Sequence, residues 1–108
     1  MLALTERGTL FALLGQRDGR PDYAAQGTDF ACRSEPAWAH RFSGSAISQT
    51  ADTRIFAAAA EHLEPRPGDR ILLNGRKYRV AEVQSMRALF GIHHLEMLAK
   101  DEGAAEAR

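Results

Sequence analysis

Asn74-Gly75 is the strongest structural instruction in this chain. Both residues tolerate positive φ, as a type I′ turn requires, and short alternating runs flank them. Ile71 and Leu73 share one face before the turn, and Tyr78 and Val80 share one face after it. Val83 is out of phase with that pair, which predicts a bulge near Ala81-Glu82. Upstream, Pro67-Gly68-Asp69 makes a turn in which the Asp69 carboxylate can accept from nearby backbone amides. A lone hairpin is only marginally stable in water, so further strands must come from elsewhere in the chain.

Several segments can supply them. Thr28–Cys32 alternates around Phe30, and Ser34-Glu35-Pro36 is expected to end it. Trp38, His40 and Phe42 recur at every second residue, an extended spacing. Ser45–Gln49 is a weak strand candidate around Ile47, and Thr53–Phe56 a better one. The latter is expected to run into Ala57–Ala60, followed by a turn of helix or an irregular bend, after which Pro65 and Pro67 exclude regular helix. Gln84–Gly91 reads as a loop, and Ile92–Leu98 as the last strand. Leu95 and Met97 share one face of it, His94 and Glu96 the other. Leu10, Leu13 and Leu14 have helical spacing after a capping Thr5, which predicts a short helix, with a strand as the alternative. Arg17–Asp22 is dense in turn formers and reads as an exposed loop. The fold class is therefore mainly β: a small antiparallel barrel or sandwich with long loops and at most one short N-terminal helix. A single domain is expected over 1–108. It divides into a variable N-terminal segment (1–23), a β core (28–98) and a flexible tail (100–108).

Composition narrows the function classes. The 108 residues suit one domain, and a chain of this size buries roughly two-thirds of its unfolded surface. Lys+Arg and Asp+Glu balance at 14 each, so the cation surplus of a nonspecific DNA binder is missing. Cys32 is the only cysteine, which leaves neither an internal disulfide nor a multi-cysteine zinc site. No apolar run approaches the ~20 residues of a membrane-spanning helix. Glu6 and Arg7 interrupt the N-terminal apolar stretch too early for a signal peptide. The expectation is a soluble intracellular protein without membrane partners.

Reactive constellations are weak. His93 and His94 are adjacent and would face opposite sides of a strand, while His94 and Glu96 share a face without a third ligand in sequence. A solvated strand face or a satisfied histidine explains them first. Cys32 beside Phe30 and Ala31 reads as a small buried hydrophobe rather than a nucleophile. Glu61, Glu64 and Asp69 read as charges around a Pro-rich bend, and no Gly-rich phosphate loop is present. No catalytic residue, cofactor site or metal site is expected, hence no enzyme. Arg76-Lys77, flanked by Arg70 and Arg79, forms a basic ribbon. It suits either contact with phosphate or an acidic partner, or solvent-facing charge that blunts a sheet edge. Leu10, Phe11, Leu13, Leu14, Trp38, Phe42, Leu89 and Phe90 suit either a core or a subunit contact.

A family pattern emerges from Phe56 to Leu98. A strand ends in Ile55-Phe56, a short bend reaches Leu63, and Gly68-Asp69 follows. After Ile71–Leu73 come Asn74-Gly75, then Tyr78, Val80 and Val83, and a terminal strand holding Leu95 and Leu98. This arrangement resembles the head–tail joining proteins of long-tailed bacteriophages, the tail-attachment or head-closure family. Phe30–Pro36 matches that family's early strand more weakly. Two features depart from the pattern: the loop after Val83 carries Met86, Arg87, Leu89 and Phe90, and residues 1–23 are not accounted for. The resemblance implies a small barrel or sandwich whose copies form a ring, hexameric or dodecameric, at the virion neck. The ring would lie between portal or adaptor and tail, around a channel for passing genomic DNA read without sequence specificity. Similar proteins serve phage-like gene transfer agents. No catalysis and no cofactor are implied. Arg76, Lys77 and Arg79 become candidates for the DNA channel or an acidic partner. A rival of another class is a small barrel that binds single-stranded nucleic acid or a ligand. It would stack bases on Trp38, Phe42 and Tyr78 beside the same cations.

Overall fold

The computed structural model describes residues 4–43, 46–58, 62–87 and 93–105, with the side chains of 38–43, 46–50, 85–87 and 93 outside the description. Eight strands follow in order: β1 Glu6–Phe11, β2 Leu13–Arg17, β3 Arg20–Tyr23, β4 Thr28–Ser43, β5 Ala46–Ala58, β6 Arg70–Leu73, β7 Arg76–Arg87 and β8 His93–Ala104. Six of them close into an antiparallel barrel in the order β1-β4-β5-β8-β7-β6, and β2 and β3 form a separate two-stranded sheet. The closing seam pairs β1 with β6, from Gly8↔Leu73 to Phe11↔Arg70. Closure gives the paired stretches partners on both sides.

The inward face follows the period of two that a strand imposes. It takes Leu10 from β1, Phe30 and Cys32 from β4, and Ile55 and Ala57 from β5. Ile71 and Leu73, Tyr78 and Val80, and Leu95, Met97 and Ala99 come from β6, β7 and β8, while Leu63 seals one end. Ile55, Ile71, Leu73, Met97, Val80 and Cys32 are fully enclosed. At the β6–β7 turn, Asn74 has φ 52° and Gly75 φ 75°, the pair of positive values a type I′ turn needs. The expected bulge is present: Val80 pairs with Ala99 and Glu82 with Leu98, which leaves Ala81 as the extra residue.

Several expectations are corrected. No helix occurs among the described residues. Leu10 belongs to β1, whose partners β4 and β6 flank it on both sides. The helical spacing of Leu10, Leu13 and Leu14 is therefore coincidental, because the chain leaves the barrel between them. The N-terminal segment accordingly contributes a barrel strand. Arg17–Asp22 is the tip of the β2–β3 hairpin, turned at Asp18 (φ 52°) and Gly19 (φ 78°). β4 does not end at Ser34–Pro36. Pro36 pairs with Thr53, beyond the reach of β1, and the ladder shifts register between Pro36 and Ala39, which accommodates a residue without an N–H. Gln84–Arg87 belongs to β7 rather than to a loop, opposite His93–Glu96. Lys100–Ala104 is strand rather than tail: Asp101 pairs with Tyr78 and Ala104 with Arg76. The Ala105 N–H donates to the Gly75 carbonyl at 2.8 Å. Among the described residues no helix is long and apolar enough to cross a membrane.

Candidate functional site

The barrel's ends are held by carboxylates, and its outside carries the charged and apolar surfaces that a partner would meet. Asp69 is 5% exposed. Its Oδ2 accepts from the Arg66 N–H at 2.9 Å, the local turn bond expected from sequence. Its Oδ1 accepts from the Leu13 N–H at 2.9 Å, across 56 positions in sequence. The same residue's carbonyl accepts from Val80 N–H at 2.8 Å, and Gly68 N–H donates back to the Val80 carbonyl at 2.8 Å. Gly68, at φ 97°, adopts a backbone that side chains rarely tolerate. Asp69 thus ties the base of the β2–β3 hairpin to the end of the barrel.

At the opposite end, Glu6 accepts from the Ser34 N–H at 3.1 Å, the Ser34 hydroxyl at 2.9 Å and the Asn74 side-chain amide at 3.0 Å. It joins β1, β4 and the β6–β7 turn. Asp52 Oδ1 accepts from the Asp101 N–H at 2.9 Å. Asp101 takes the Arg76 Nε–H at 2.8 Å and the Gly103 N–H at 2.8 Å. The Arg76 hydrogen bond holds the Asp101 carboxyl below its usual range, against a smaller opposing effect of burial. Tyr78 has its phenol raised, first by burial and then by Asp101. None of these long-range partners leaves a local sequence signal.

The expected basic ribbon is divided. Arg76 is bound to Asp101, and Arg79 Nη1 lies 3.7 Å from Glu102. Lys77 lies on the barrel's outer face opposite Leu72. Arg70 does not join the ribbon: its guanidinium carbon stands 4.3 Å from the centre of the Tyr23 ring. The stacking trio is not assembled either. Tyr78 is 9% exposed and sits in the core cluster, while the side chains of Trp38 and Phe42 lie outside the described residues. Leu89 and Phe90 also lie outside them.

Of the candidate interface residues, Leu10 is core. Leu13 and Leu14 are 39% and 66% exposed on the hairpin. Phe11 lines an open groove of about 350 Å³ with Tyr23, Leu72 and Ala105, and Arg70 and Lys77 stand beside them. The remaining family-pattern residues hold the frame: Val83 packs against the core, Leu95 is buried within it, and Leu98 is half-buried opposite Arg54 and Glu82.

Cys32 is fully enclosed, and its thiol is pushed up to about 11, first by burial and then by Glu6. A thiol so protonated is a poor nucleophile at neutral pH. His94 faces outward with its ring 6.3 Å from that of Phe56, and Glu96 receives Arg54 at 2.7 Å. Among the described residues no group of three or more His, Cys, Asp or Glu side chains is placed to hold a metal. No protein-family model and no curated protein matches this chain.

Proposed function

We propose that this protein is a structural subunit of a phage or phage-like particle, a head–tail connector of the head-closure kind that works by stoichiometric binding. Copies would form a ring at the neck, between portal or adaptor and tail, with genomic DNA passing through. One observation carries the reading. The segment that resembles the family, Phe56–Leu98, occupies the end of β5 and then β6, β7 and the first half of β8 of one closed barrel, with Asn74-Gly75 and the Ala81 bulge at the expected places. Two projections support it. The β4–β5 pairing continues from Ala39↔Ala51 to Ser43↔Ala46, beyond the stretch where β1 and β8 pair. The β2–β3 hairpin presents Leu13 and Leu14 to solvent. Such projections suit a subunit whose work is to grip neighbours.

Deletion of the gene from a particle-producing strain, followed by electron microscopy, tests the reading. Separate heads and tails are expected, and normally joined particles would overturn it. Leu14→Asp on the complementing copy should fold normally and reduce the yield of joined particles. The rival nucleic-acid reading gains no support from Tyr78, whose ring is in the interior.

A further inference from the structure

The groove beside the β2–β3 hairpin combines features that the hairpin tip does not. Its floor is apolar, from Phe11 and Leu72 on the outer faces of β1 and β6. Tyr23 stands at its side, and the Arg70 guanidinium lies against that ring. Stacking fixes a planar cation in one orientation and lowers the entropy cost of using it. Lys77 is the second cation. Among the described residues neither Arg70 nor Lys77 has an acidic partner, so both charges of the groove stand uncompensated, whereas the neighbouring cations of β7, Arg76 and Arg79, face Asp101 and Glu102. The Nε of Arg70 is also buried without a hydrogen-bond acceptor.

From this charge complementarity we infer that the groove is a docking site for an acidic segment of a partner protein, one carboxylate followed by an apolar side chain. The carboxylate meets Arg70 and Lys77, and the apolar group lies on Phe11 and Leu72. A peptide fits better than nucleic acid. Two cations over an apolar floor offer little to a continuous phosphate chain, and Tyr23 already carries Arg70 on its ring. The inference stands independently of the connector reading, since it names only the chemistry of what binds.

The test titrates a capped peptide of alternating Asp and Leu into isotope-labelled full-length protein and follows amide and side-chain resonances. Saturable shifts confined to Phe11, Tyr23, Arg70, Leu72 and Lys77 are expected. Replacing every Asp of the peptide by Asn should weaken binding about tenfold or more, and so should Lys77→Glu. Lys77→Gln, an exposed neutral change, should fall between wild type and Lys77→Glu at unchanged melting temperature. Equal binding of the Asn peptide, or shifts elsewhere on the barrel, would overturn the inference. Stronger saturation of the same resonances by oligothymidylate would overturn it in favour of nucleic acid. Concentration-dependent dimerisation abolished by Lys77→Glu would overturn it in favour of a second copy.

Discussion

The barrel and the β2–β3 hairpin are built from the same kind of turn and the same kind of ladder, yet they hold together by different means. The barrel encloses Ile55, Ile71, Leu73, Val80 and Met97 completely. The hairpin encloses almost nothing: every residue of β2 is exposed. Its attachment rests on the Asp69 carboxylate at Leu13, the Ala24 N–H to Ala12 carbonyl bond at 2.9 Å, and the Arg70–Tyr23 contact. Apolar burial fixes the barrel, whereas a few directional bonds fix the hairpin. The surface furthest from the core is the one left available to other molecules.

The sharpest break in that comparison is a core truncation. Ile55→Ala should cost about 3 kcal/mol in urea unfolding, because it removes buried methylenes and leaves a void. Asp69→Ala should cost about 2 kcal/mol by stranding the Leu13 and Arg66 amides. Hydrogen exchange should then show the hairpin amides losing protection far more than those of β5 and β8. Equal loss in both regions would mean that Asp69 supports the barrel as a whole. Alkaline titration probes the interior alone. Because the Cys32 pKa is raised in the folded state, its contribution to stability is complete below its ordinary value near 9 and is lost as pH rises towards about 11. Cys32→Ala should flatten that decline.

A smaller effect is expected at the barrel's rim. The Asp101 carboxyl is lowered by Arg76, so its contribution is present at neutral pH and lost as pH falls through the lowered folded value. Asp101→Asn should lower the melting temperature at pH 7 only slightly, since solvent screens the exposed Arg76 guanidinium. That difference should vanish in acid. The smallest effect belongs to the hairpin surface. Leu14→Asp should change stability by no more than about 0.5 kcal/mol, and a large loss would show that the hairpin packs more firmly than its exposure implies.

The contrast also explains what could be read from the chain. The β6–β7 hairpin was legible because Ile71, Leu73, Tyr78 and Val80 alternate against a core and Asn74-Gly75 marks the turn. The β2–β3 hairpin carries an equally good turn in Asp18-Gly19, but β2 is exposed throughout and β3 is half-buried only at the consecutive Asp22 and Tyr23, so neither shows the alternation that identifies a strand. The passage of β4 through Pro36 is not legible in the sequence, which does not reveal that β1 has already ended there. The clasps made by Glu6, Asp52 and Asp69, and the meeting of Tyr23 with Arg70, depend on the closure of the barrel. No local pattern announces contacts between positions so far apart.

The β1–β6 seam has a kinetic consequence. β1 must wait, unpaired on that side, through the whole of β2 to β5 before its closing partner exists. β8 must then bridge β5 and β7. Such a non-local topology belongs with the slow folders of milliseconds to seconds, and each molecule spends that interval with an apolar strand open to its neighbours. Crowded synthesis of many copies would therefore favour mispaired oligomers unless chaperones shield the half-built cylinder.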